Sequence, residues 1–174
     1  SEVKRCGEIV KGLMDFSRQD QENFKNNRLH PVLKETTELI EHQMKIKNIN
    51  FYTDFTASHD WVFCNVNQVK QVFLALLVNA SEAVSENAEI IMKTSNPDKE
   101  HIKVDIIDNG VGIAPEDIPH IFQPFFSTKQ GTSGIGLGLA IVHGIVQSHK
   151  GILDVKSEPG KGTTMSVIFN LVKN

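Results

Sequence analysis

The sequence predicts an α+β two-layer sandwich, one sheet covered on one face by helices and preceded by a helical arm. Three observations predict it. Apolar residues recur at three- and four-residue steps over Val3–Phe16 and again over Val66–Val84, the period of amphipathic helices. Six short runs, "INFYTDF", "WVFCN", "AEIIMKTS", "HIKVDIID", "GILDVKSE" and "TTMSVIFNLV", read as strands. The order in which these helices and strands follow one another suits a helical layer laid over a single sheet. With 174 residues, 40% of them hydrophobic, the chain can bury one real core.

The elements follow in order. In the arm, Val3, Cys6, Ile9, Val10, Leu13 and Phe16 form a narrow seam that calls for a partner helix. The polar stretch "RQDQENFKNNR", Arg18 to Arg28, has too few apolar residues to pack and reads as a frayed helix end or a linker. The division is therefore an arm and linker over 1–27 and a body over 28–174. A second helix is expected from Pro31 to Met44, followed by two short strands. The long helix from Val66 to Val84 gathers Val69, Val72, Phe73, Leu76, Leu77, Ala80, Ala83 and Val84 on one face. Two strands come next, then a loop-rich stretch to Ser133, a helix from Gly136 to Ser148, and two closing strands. The sequence has no internal repeat and no low-complexity segment.

Composition excludes several functions. A net charge of -3, without a dense Lys/Arg stripe, gives no footprint for nucleic acid. The longest apolar run, Val72 to Val78, is far short of the ~20 residues that span a bilayer. No secretory pattern opens the chain, and Cys6 and Cys64 lie far apart, which suggests reduced thiols in a cytoplasmic setting. The seven histidines are scattered without ligand spacing, so a Cys/His metal centre is not expected.

Polar residues stand out against this frame. In "VDIIDNGVGIAP" the residues Ile102, Val104, Ile106 and Asp108 share one strand face, so Asp108 points to the covered side just before a glycine loop. A carboxylate there needs a donor, either from a ligand amine or from an Asn-Gly turn that it caps itself. Asn79 lies at the edge of the long helix's apolar stripe, on one line with Ala75 and Glu82. Its amide oxygen is a reasonable Mg²⁺ ligand, although a lone asparagine on a helix edge is more often only a solvated side chain. In "GTSGIGLGLAIV", Gly131, Gly134, Gly136 and Gly138 lead into a helix, and glycines at a helix N-terminus suit a phosphate chain. The loop is neither a Walker motif nor a dinucleotide fingerprint. Upstream, Phe122, Phe125 and Phe126 anchor either a lid or the core, with Lys129 beside them. Thr163 in "EPGKGTTM" serves a site or an ordinary turn.

The motifs "QVKQVFLALLVNASEAV", "DNGVGI", "IFQPFFSTK", "GIGLGL" and "GKGTT" occur in register. They resemble the N, G1, F, G2 and last glycine boxes of sensor histidine kinases, over Pro31 to Val172. The resemblance implies the mixed-sheet Bergerat fold shared with gyrase, Hsp90 and MutL, with ATP and Mg²⁺ as cofactors. By this likeness Asp108 accepts from the adenine amine, Gly110 and Gly112 bring backbone close to the base, and Ala83, Ile113 and Thr163 line its pocket. Asn79 holds Mg²⁺. Gly134, Gly136, Leu137 and Gly138 lie beside the phosphates, Pro115 to Ser133 form the lid, and Lys129 is the lid lysine. The arm segment "IVKGLMDFSRQ" resembles the end of the dimerisation helix that precedes this module. The implied partners are therefore that phosphoacceptor domain, a response regulator receiver domain and a second copy in the full-length protein.

Two departures bear on mechanism. The position four residues before Asn79, where hydrolysing relatives carry a glutamate base, is Ala75, which disfavours simple hydrolysis. No histidine stands in an H-E/D-x-x-x-P context, so the implied acceptor lies upstream of Ser1, and His143 and His149 read as packing or surface residues. The expected reaction is transfer of the ATP γ-phosphoryl group to that histidine. An ATPase or serine kinase of the same superfamily, or a nucleotide-sensing module, are the alternatives.

Overall fold

The computed structural model describes residues 23–128 and 136–173. The arm helix with Cys6, and Lys129, Gly131 and Gly134 of the glycine loop, lie outside the described residues. The elements run β1 (Lys25–Arg28), α1 (Leu29–Ile46), β2 (Asn50–Phe55), β3 (Trp61–Cys64), α2 (Val66–Ala83), β4 (Glu89–Ser95), β5 (His101–Asp108), α3 (Gly138–Ser148), β6 (Ile152–Glu158) and β7 (Gly162–Asn170). A single 3₁₀ turn, Ile118–His120, interrupts the loop after β5.

The main sheet has the order β2-β4-β5-β7-β6, with β2 and β4 parallel and the other pairs antiparallel. It is a mixed sheet with the three helices packed on one face, the architecture that the sequence predicts. Along β5, Ile102, Val104 and Ile106 are buried under the helices and Asp108 continues the same face. Asp105, on the other face, is buried as well, because Lys103 pairs with it at 3.0 Å and Ser166 Oγ donates to it at 2.5 Å.

One local expectation is corrected. Over Lys25–Arg28 the polar stretch is neither helix end nor unstructured linker but a strand, paired antiparallel with β3. Backbone pairing needs no apolar side chain, and polar groups reinforce it. Asn27 Nδ2 donates to Cys64 O at 3.1 Å, and Arg28 Nε donates to Asp60 Oδ1 at 3.0 Å. Asp60 also opens α1 two residues earlier than Pro31, by accepting the His30 N–H on its carboxylate and the Leu29 N–H on its carbonyl.

The long helix α2 carries the core. Val69, Val72, Phe73, Leu76 and Leu77 are all buried, flanked by α1 on one side and α3 on the other. Asn65 caps it, its Oδ1 accepting from the Asn67 and Gln68 N–H groups at 3.0 and 3.2 Å. His149, just past α3, binds this cap from behind. Its Nδ1–H donates to Ile145 O at 2.8 Å, which leaves Nε2 to accept the Asn65 N–H at 3.1 Å. The ring packs between Phe24 and Phe169, so His149 is a packing histidine, and burial holds its pKa below the usual value.

Candidate functional site

The end of α2 and the end of β5 meet at one point. Val84 turns extended, with φ -109° and ψ 157°, and stops the helix at Ala83. The freed carbonyl of Ala83 accepts the Val111 N–H at 3.0 Å. Gly110 fits beneath it, and a Cβ there would stand 2.3 Å from that oxygen. On its other side the loop meets the turn between β6 and β7. Gly112, at φ 72°, lies where a Cβ would be 2.2 Å from Glu158 O, and the Gly160 N–H donates to Val111 O at 2.8 Å. Both glycines are close-approach positions.

Beside this junction, between α2, α3 and the sheet, is a cavity of ≈ 790 Å³. Of the residues singled out in the sequence, Asn79, Ala83, Asp108, Gly112, Ile113, Gly136, Leu137, Gly138 and Thr163 line it. Gly110 does not; its part is to let the loop reach Ala83. Lys129 and Gly134 lie outside the described residues. Leu76, Ala80, Ile106 and Met165 form an apolar wall, and the volume is that of a typical small-molecule site.

Asp108 is the polar centre. It is 7% exposed, and burial raises its pKa, opposed by the backbone N–H groups of Gly110 and Thr163. Asp108 Oδ1 accepts the Gly110 N–H at 2.9 Å. The turn-capping reading and the cavity-wall reading thus hold together. Asn79 and Glu82, one helical turn apart, both line the cavity, whereas Ala75 packs against the core. No Lys or Arg is among the described lining residues. Positive potential comes instead from the start of α3, where Leu137 provides no side-chain cap and the first N–H groups, at Gly138 and Leu139, have no intrahelical acceptor.

The aromatic cluster divides. Phe126 lines the cavity, Phe122 stacks on His143 at 5.6 Å, and Phe125 is exposed at φ 68° with its N–H on Gly136 O at 2.9 Å. His143 is accordingly a packing residue. Sequence reasoning missed Ser157. Its hydroxyl lies 2.8 Å from both the Ile113 nitrogen and Thr163 Oγ1, tying the two glycine turns together. Nothing in "LDVKSE" separates it from an ordinary strand serine.

Residues 64–173 match the model of a family described as "Histidine kinase-, DNA gyrase B-, and HSP90-like ATPase". The chain belongs to this family. It is an ATP-binding catalytic domain of the sensor histidine kinase kind, and relatives and solved structures agree. Sporulation kinase C of Bacillus subtilis (strain 168) is 32% identical over 173 residues, covering 98% of this chain and 40% of that protein. Sporulation kinase E of the same organism is 27% identical over 174 residues, all of this chain and 23% of that protein. The chain thus spans well under half the length of these relatives. The catalytic domain of histidine kinase ThkA, in a nucleotide-free form, superposes with a TM-score of 0.74 at 26% identity, covering 84% of this chain and 95% of that one. ThkA in complex with the response regulator protein TrrA gives 0.76 at 25% identity, covering 98% of this chain and 48% of that chain.

Proposed function

We propose that the cavity binds ATP with its adenine against Asp108 and its phosphates toward Asn79 and the start of α3. The protein then transfers the γ-phosphoryl group to a histidine on an upstream dimerisation domain, for relay to an aspartate of a response regulator. The observation that carries this reading is the buried carboxylate of Asp108 on the wall of a nucleotide-sized cavity. One of its oxygens is tied to its own turn, and an exocyclic amine is a suitable further donor. Gly110 and Gly112 keep the backbone close enough for the base to lie flat, with Ala83, Ile113 and Thr163 around it.

Asn79 suits Mg²⁺, which takes one or two protein oxygens and completes its shell with water and phosphate. Among the described residues no group of three or more His, Cys, Asp or Glu could hold a metal by itself, a donor set that fits a metal brought in with the triphosphate. When bound, Mg²⁺ neutralises charge on the phosphates. The protein's own residues do the positioning. The N–H groups at Gly138 and Leu139 meet phosphate oxygens and Gly136 leaves room for them; Gly134 and Lys129, outside the described residues, keep the roles that the resemblance implies, as a phosphate-loop glycine and the lid lysine. Ala75 stands where hydrolysing relatives carry their glutamate base, which disfavours hydrolysis and leaves the bound γ-phosphoryl group for an imidazole.

The residues before β1 are read as the end of the dimerisation helix and the linker; β1, through its pairing with β3, joins the catalytic domain, which therefore begins at Lys25 rather than at residue 28. The arm's apolar seam supports pairing with a second copy in the longer protein. ThkA, solved with a response regulator, supports a receiver domain as the downstream partner. No helix among the described residues is long and apolar enough to cross a membrane, in keeping with a cytoplasmic domain. The test is to mix the chain, radiolabelled ATP and a separately made upstream helical hairpin. Label on the hairpin that survives base and is lost in acid supports the reading. Absence of label across several hairpin boundaries contradicts it.

A further inference from the structure

Ser157 is half-buried on β6 and does not line the cavity, yet its hydroxyl joins two segments that do, the loop at Ile113 and the start of β7 at Gly162 and Thr163. The Ile113 N–H donates to Ser157 Oγ at 2.8 Å, Ser157 Oγ donates to Gly162 O at 3.0 Å, and Thr163 Oγ1 lies 2.8 Å away. A serine hydroxyl has one proton and two lone pairs. A carbonyl can only accept, so the proton goes to Gly162 O. The Ile113 amide takes one lone pair. The second lone pair then receives the Thr163 hydroxyl proton. With its proton held by Ser157, Thr163 has only lone pairs for the cavity. Its register partner across the strands is Asp108, whose ionised carboxylate also only accepts.

We infer that Ser157 is a positioning residue that sets base specificity: by holding the Thr163 proton it makes the Asp108–Thr163 end of the cavity a wall of acceptors. Such a wall takes a purine with an exocyclic amine and rejects one with a carbonyl at the same place. To serve a carbonyl, Thr163 would have to turn its proton away from Ser157 and leave a half-buried lone pair unsatisfied. The geometry also keeps the frame rigid. Gly162, at φ 106°, lies where a Cβ would be 1.9 Å from Asp108 O, so the turn carrying Thr163 is pressed onto the end of β5. This inference rests on the nucleotide reading above.

The test uses the whole chain and calorimetric titration with ADP and IDP, which differ in the amine or carbonyl at C6 and in the proton on N1. Wild type should prefer ADP. Ser157→Ala frees the Thr163 hydroxyl to donate and should narrow the preference about tenfold, the worth of one hydrogen bond. Ser157→Thr keeps a hydroxyl and should retain the preference. If Ser157→Ala lowers both affinities by one factor, or leaves the ratio unchanged, the inference fails. Should Ser157→Ala not fold, Thr163→Val removes the acceptor and should narrow the same ratio, and an unchanged ratio there overturns it. A wild-type chain that binds neither nucleotide overturns the nucleotide reading itself.

Discussion

Asp108 and Thr163 are register partners on the antiparallel strands β5 and β7, and both line the cavity at its polar end. The pair places a buried carboxylate beside a hydroxyl where the sheet meets the glycine turns, and it makes the protein's stability sensitive to what occupies that end.

The first prediction concerns pH. Burial raises the pKa of Asp108 in the folded protein. A raised folded pKa gives stability that is present below the unfolded value of about 3.9 and is lost as pH rises through the folded one. Asp108→Asn keeps the bond from Gly110 but has no charge to bury. In denaturant titrations without nucleotide, the variant should gain on the parent as pH rises above about 4. A gap that does not change with pH contradicts this.

His149 works in the opposite direction. Its folded pKa is depressed by burial, so its contribution is present above the unfolded value of about 6.5 and is lost as pH falls through the folded one. His149→Phe leaves the Asn65 N–H without its acceptor and should cost about 1–3 kcal/mol at neutral pH. The same variant should remove part of the loss of stability below about pH 6.5. Thermal melts across this range read both effects.

The glycines should separate into two kinds. Gly112, at φ 72° and against Glu158 O, has no room for a methyl group, and Gly112→Ala should cost more than about 1 kcal/mol. Gly138 has nothing within 4 Å of its would-be Cβ and opens α3. Gly138→Ala should leave unliganded stability within about 1 kcal/mol of the parent. It should also weaken binding of the triphosphate more than binding of adenosine. Equal losses for the two ligands would remove Gly138 from the phosphate end.

Asn79→Ala replaces a poor helix former with the best one, so the unliganded chain should melt no lower than the parent. Its ATP affinity should respond less to added Mg²⁺, read by calorimetry with and without the metal. An undiminished response would take the metal away from Asn79.

Much of this was legible before the structure. Period-2 alternation marked Ile102, Val104, Ile106 and Asp108 as one buried face, and the apolar stripe marked α2, because both patterns record burial directly. β1 was not legible, since "KNNR" pairs through its backbone and through bonds to Cys64 and Asp60, more than thirty residues away in sequence. Asp105 breaks the alternation because Lys103, two residues earlier on the same strand, supplies a charge and Ser166, its register partner on β7, a donor. Ser157 left no trace because its role depends on two turns, around Gly112 and Gly162, that only the fold brings together.

The central claim is that a purine amine binds at Asp108, and it is tested most directly by titrating a non-hydrolysable ATP analogue with Mg²⁺ into wild type and Asp108→Asn. With its carbonyl held by Gly110, the asparagine would present an NH₂ group to the amine. The account predicts a loss of about 1.5–3 kcal/mol, the worth of a hydrogen bond to a charged group. Equal affinity in the two proteins would contradict it.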